Sequence, residues 1–123
     1  MRFNNERPIF AQIADLLLAD VLSGKLAAGA RLPSARELAA SLEVNPNTAA
    51  RALQALQDSG VARMERGMGY FVADGGADLA RNERKRMFFE EELPRIFRMM
   101  DEIGATPEEI SERYGLFRQR KGA

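Results

Sequence analysis

The chain has 123 residues, 46% of them apolar, and its 18 lysines and arginines are balanced by 18 aspartates and glutamates. That is apolar material for one folded domain with an appendage. With no cysteine and no histidine, thiolate nucleophiles, disulfides, Cys/His metal sites and imidazole acid–base chemistry are excluded, so no catalytic residue, metal ligand or cofactor is expected.

No bulk field attracts a polyanion either. Residues 1–78 hold 8 basic and 9 acidic side chains, and residues 79–123 hold 10 and 9. Any phosphate-binding surface must therefore be local, made of placed arginines and helix N-termini. The opening stretch MRFNNERPIF lacks the apolar run of a signal peptide, and the longest apolar run, Leu16–Val21, is broken by Asp20. No membrane span is expected, and a cytoplasmic location is.

Pro8 suits the first position of a helix, and Ile9, Ile13, Leu16, Leu17 and Val21 recur at helical spacing until Ser23-Gly24. A short second helix is predicted over about residues 35–42, with Ser34 and Glu37 at capping-box spacing and Leu38 and Leu42 as its apolar stripe. Asn45 caps a third helix that Pro46 starts, and Ala49, Ala52, Leu53 and Leu56 face inward until Gly60. Two strand-like pieces follow, Val61–Glu65 and Tyr70–Ala73, joined by Arg66-Gly67-Met68-Gly69 in a hairpin.

Asp74-Gly75-Gly76 reads as a hinge, which divides the chain into a first domain over residues 1–74 and a helical region over 75–123. A long helix is predicted over roughly 78–103, with Phe89, Leu93, Ile96, Met100 and Ile103 forming a heptad seam and Pro94 expected to kink it. The charged block Arg81–Arg86 reads as the solvated start of that helix, since Glu90-Glu91-Glu92 follow within two turns. After Gly104, Thr106-Pro107-Glu108-Glu109 makes a second capping box, and Ile110, Tyr114 and Phe117 mark a last short helix.

Three helices and a hairpin, with a tight connection between the second and third helices, is the order of a winged helix-turn-helix: mainly α with a small β-hairpin. Such a third helix enters the major groove of DNA by its N-terminal end, which explains a first turn that is slim and polar. Asn47, Arg51 and Gln54 stand at i, i+4 and i+7 on one face, while Asn45 and Thr48 sit at the helix mouth, where short side chains and backbone N–H groups meet a phosphate. Each residue also has a plainer reading. Arg36 can also be read as a surface charge paired to a neighbouring carboxylate and Arg51 as a plain surface charge, Asn45-Pro46 starts a helix whatever its use, and Gly67 and Gly69 can be read as ordinary hairpin residues.

Four ordered stretches resemble the bacterial GntR transcriptional regulators, the short-tailed YtrA-like subgroup in particular: Pro8–Ile13, Gly29–Ala39, Val44–Ala49 and Arg66–Val72. The resemblance spans residues 8–72. It implies that Ser34 and Arg36 at the second helix meet the operator, Arg36 through a phosphate or a guanine edge. It implies that Asn47, Thr48 and Arg51 read or grip the major groove, and that the wing turn Arg66, Gly67 and Gly69 reaches the minor groove. Many members have an arginine where this chain has Pro46, so one base-reading contact open to them is absent here.

The reading that follows is a sequence-specific regulator, acting as a repressor, that binds a palindromic double-stranded DNA operator as a homodimer. Its dimer interface is expected at Phe89, Leu93, Ile96, Met100, Ile103, Ile110, Tyr114 and Phe117, because two helices alone cannot enclose so many large apolar groups. The rival reading, supported by the zero net charge, is a winged-helix adaptor that binds proteins and never DNA. Neither the operator sequence nor a small-molecule effector is legible. The tail beyond Gly76 is too short for the large ligand-binding domain of other branches of the family.

Overall fold

In the computed structural model, which describes residues 3–122, the first helix α1 (Ile9–Leu22) turns Ile13, Ala14, Leu17, Leu18 and Val21 into the core. Ile9 and Leu16, expected on the same stripe, lie on the exposed side. Pro8 stands just outside the helix as its N-cap, and its carbonyl accepts from the N–H groups of Ala11 and Gln12. Gln12 is the buried polar residue of this core. Its side-chain oxygen accepts from Asn4 N–H, and its amide donates to the carbonyls of Asn4 and Arg7. The segment before α1 is thereby clipped to the helix's first turn.

Helix α2 (Ala35–Leu42) opens with the expected capping box: Glu37 N–H donates to Ser34 Oγ, and Ser34 N–H donates to the Glu37 carboxylate, both at 3.1 Å. It ends at Glu43, whose φ of 56° is left-handed and whose N–H donates to Ala39 O. A residue with a Cβ pays about 1–2 kcal/mol in that conformation. Glu43→Gly is therefore expected to stabilise the fold by about 0.5–1 kcal/mol, once glycine's extra chain entropy is deducted, and to raise Tm by a few degrees. A lower Tm in a thermal melt would show that this turn is not strained at Glu43.

Helix α3 (Pro46–Asp58) buries the four residues expected, Ala49, Ala52, Leu53 and Leu56, and packs on both α1 and α2. Ala49 and Ala52 are fully buried; side chains this small let α1 lie close against α3. Strands β1 (Ala62–Glu65) and β2 (Gly69–Val72) pair antiparallel in a register running from Ala62 opposite Val72 to Glu65 opposite Gly69. A third extended segment, not anticipated, joins them: Leu32 N–H donates to Tyr70 O, Val72 N–H donates to Ala30 O, and Arg31 forms a bridge with Phe71.

Gly76 has a different role from the hinge expected of it. It is the first residue of α4 (Gly76–Met87), and a Cβ there would lie 2.6 Å from the carbonyl oxygen of Val61. Glycine is needed for close approach of two backbone segments. Ala80, one turn further on, is fully buried in the same core. By packing, the chain divides between Arg84 and Lys85; the boundary read from the sequence falls at the start of α4 and this division falls inside it.

In the second unit the long helix expected to kink at Pro94 instead widens just before it. Phe88–Glu92 is a π-helical turn, with Leu93 N–H donating to Phe88 O, and α5 (Leu93–Ile103) follows. Pro94 explains it: without an N–H, and with a ring that crowds the carbonyl four residues back, it disfavours a regular α turn, and the chain accommodates it by widening. Gly104 ends α5 in the left-handed conformation. Helix α6 (Pro107–Gly122) is longer than the short helix predicted. Thr106 and Glu109 exchange both capping-box hydrogen bonds at its start, and Arg120 and Lys121 stand at its end, where the helix dipole favours cations.

Candidate nucleic-acid interface

Three parts of the first unit carry the residues singled out in the sequence: the start of α2, the exposed face of α3, and the hairpin turn. At α2, Ser34 spends its hydroxyl on the cap, so its contribution is to hold the helix mouth. Arg36, two residues on, is exposed. The backbone N–H of Ser34 and then its hydroxyl hold the Glu37 carboxyl below the usual carboxylate range, with Arg31 adding to the effect. A depressed carboxylate pKa means that the cap's contribution is present above the unfolded-state pKa and is lost as pH falls through the lower folded value.

On α3, the side-chain oxygen of Asn45 accepts from Asn47 N–H at 2.8 Å, so it too is engaged in capping. Asn47, Ala50, Arg51 and Gln54 are exposed, and Thr48 is half-buried. Ala50 did not stand out in the sequence; at this position its small size leaves the centre of the exposed face slim enough to approach a groove floor. Gln54 is less free than its spacing suggests. Its amide donates to Asp58 at 2.9 Å, so any contact with a base must displace that bond or use its remaining polar atoms. The guanidinium of Arg51 lies over the ring of Phe10, 4.2 Å from its centroid.

The hairpin turn has Gly67 and Gly69 at φ of 76° and 108°, which residues with a Cβ rarely adopt, and Met68 N–H closes it onto Glu65 O. Arg66 is exposed on its flank, with Met68 at the tip. Arg31, which sequence reasoning passed over, links this turn to α2: it donates to Met68 O and pairs with Glu37. Its bulk passes beside Gly69, where a Cβ would lie 3.6 Å from its Nε. The wing turn and the mouth of α2 are thus within the span of one side chain.

Charge is distributed unevenly among the arginines. Arg7, Arg31, Arg63 and Arg81 are each paired with a carboxylate, from Asp15, Glu37, Glu65 and Asp78 respectively. Arg36, Arg51 and Arg66 have no carboxylate partner among the described residues. A chain with no net charge therefore keeps uncompensated cations on α2, on the exposed face of α3 and beside the hairpin turn.

The second unit presents apolar surface. Leu93, Ile96, Met100, Ile110 and Tyr114 line an open groove of about 490 Å³ together with Phe97, Ala105 and Pro107. Phe89, Ile103 and Phe117, expected in the same interface, do not line it, and they are 53%, 78% and 57% exposed. The π turn inserts one residue into the helical repeat, which puts Phe89 out of step with Leu93. Phe97, Met99 and Leu116 are further exposed apolar residues of this unit that the heptad reading left out.

Helix order, the buried face of α3 and the paired hairpin define a winged helix-turn-helix DNA-binding domain. The family described as "Bacterial regulatory proteins, gntR family" matches residues 10–72. The chain is 35% identical over 111 residues to the uncharacterized HTH-type transcriptional regulator YhcF of Bacillus subtilis (strain 168), covering 90% of each. It is 30% identical over 105 residues to the HTH-type transcriptional repressor YtrA of the same organism, covering 85% of this chain and 80% of that one. A solved GntR-family regulator from Bacteroides thetaiotaomicron superposes with a TM-score of 0.74 at 38% identity, over 92% of this chain and 98% of that one. This protein belongs to the GntR family of bacterial transcription regulators; it is a DNA-binding regulator and not an enzyme. Among the described residues no helix is long and apolar enough to cross a membrane.

Proposed function

We propose that the protein is a cytoplasmic repressor that binds a palindromic operator as a two-fold symmetric homodimer. The observation that carries the DNA contact is that within the first unit Arg36 on α2, Arg51 on α3 and Arg66 beside the wing turn have no carboxylate partner among the described residues. Asn47, Thr48 and Arg51 are assigned to the major groove, Arg36 to the backbone or a guanine edge, and Arg66, Gly67 and Gly69 to the minor groove. Asn45 and Ser34 hold the helix mouths open to phosphate by capping, and Gln54 takes part once it releases Asp58. The similarity to a named repressor, YtrA, supports repression as the direction of regulation.

Dimerisation rests on the second unit, Lys85–Ala123, which lies within the helical region 75–123 read from the sequence. A groove lined mainly by apolar side chains, with only Asp101 and Ser111 polar among its lining, in a unit that also exposes Ile103 and Phe117, is the kind of surface that marks a protein–protein interface. A second copy of the same unit supplies matching apolar surface by symmetry. Selection of bound duplexes from a random DNA pool tests the whole reading: a palindromic consensus with half-sites about one helical turn apart is expected. Recovery of a single asymmetric half-site, or of no sequence above background, would overturn it.

A further inference from the structure

We infer that Phe10, on the first turn of α1, is a positioning residue for Arg51: it holds the guanidinium by its face and presents the in-plane N–H groups to DNA. This rests on the assignment of Arg51 to the operator and adds a residue that none of the DNA-facing elements contains. Arg51 has no carboxylate partner among the described residues; its partner is the Phe10 ring, 4.2 Å from the guanidinium carbon. A guanidinium that lies over an aromatic ring uses its π face and leaves its donors unspent, whereas a carboxylate partner would take up those donors. The contact therefore orders the side chain without competing with a phosphate or a guanine edge.

The fold places the ring firmly. Phe10 is partly buried against the core, and the turn that bears it is pinned from both sides. On one side Gln12 ties it to Asn4 and Arg7. On the other, Ile13 packs in the same core as Ala49 and Ala52, small residues that let α1 and α3 lie close enough for a residue of one to cover a residue of the other. Arginine is among the side chains with most rotamer freedom to lose on binding, so an arginine already ordered in the free protein binds with less loss.

The test is a double-mutant cycle on a duplex bearing the consensus selected by the unmodified protein, with thermal melts of every variant. Phe10→Leu is expected to weaken binding roughly two- to fivefold, the factor a partly exposed cation–π contact corresponds to. Phe10→Tyr, which keeps the ring face, should bind as the parent does. In an Arg51→Ala background Phe10→Leu should have no further effect. Phe10→Leu changes no phosphate contact directly, so the salt slope should stay close to that of the parent, whereas Arg51→Ala should make it shallower if Arg51 grips phosphate.

If Phe10→Leu melts too low for binding to be read, NMR of the unmodified protein decides. The Arg51 side-chain protons should show an upfield ring-current shift, and their absence from the ring's shielding cone would overturn the inference. Additive effects of the two substitutions, or loss of binding in Phe10→Tyr with an unchanged melt, would overturn it as well. Arg51→Ala binding as tightly as the parent would instead remove Arg51 from the operator contact, and the inference with it.

Discussion

A variant with Arg36, Arg51 and Arg66 all replaced by alanine is expected to remain folded and to lose most of its affinity for duplex DNA. All three side chains are exposed and none holds a carboxylate in place, so their loss should cost the fold little, within about 0.5 kcal/mol at each position. Binding depends on them more heavily, because the chain has no net positive charge to substitute for them. Each arginine that neutralises a phosphate contributes about −0.9 to the slope of log affinity against log salt, so three such contacts in each chain make the slope shallower by close to 3 per chain. An arginine that reads a base instead costs about 1–3 kcal/mol on the selected sequence and little on random DNA. Arg81, already paired with Asp78 at 2.9 Å, is the control: Arg81→Ala should leave the slope nearly unchanged. Unaltered affinity and salt slope in the triple variant would place the DNA contact elsewhere on the surface.

The arginines also show what a sequence discloses and what it withholds. Their positions were readable, because each sits at a fixed offset in a local motif: after the Ser34 cap, five residues beyond Pro46, and next to Gly67. Their pairing state was not, because it depends on where other carboxylates fall in the fold. Arg7 finds Asp15 eight residues on, and Arg31 finds Glu37 while reaching the carbonyl of Met68. Both capping boxes and the inward face of α3 were legible for the same reason as the motifs, since their chemistry closes within one or two turns. The bridge of Arg31 to Phe71 was not, as a pairing of one residue across forty has no alternation to announce it. Nor was the need for glycine at Gly76, which arises from the carbonyl of Val61, a neighbour only in three dimensions. Pro94 announced a disturbance of the helix, but its form, a widened turn that breaks the seam between Phe89 and Leu93, followed from how the chain relieved the crowding.

Leu93→Glu together with Ile96→Glu is expected to convert the protein from a dimer to a monomer. Both residues line the apolar groove of the second unit, and both are half-buried within a single chain. In the proposed dimer the partner completes their burial, and a carboxylate at either position would have to be taken out of water without a compensating charge, which costs several kcal/mol for each ion. The first unit has its own core, from Ile13 to Ala80, so it should melt as it does in the parent. Operator binding should nonetheless fall steeply. A winged helix reads only one half-site, and the second half-site is occupied efficiently only when the first holds its partner nearby; losing that link removes a factor on the order of 10² to 10⁴ in affinity. The salt slope should drop by about half, because only one chain's phosphate contacts remain per binding event. Sedimentation of parent and variant reads the assembly directly. A parent that sediments as a monomer, or a variant that remains a dimer, would remove the second unit as the dimer interface, and a monomeric variant that binds the operator as tightly as the parent would separate dimerisation from DNA recognition.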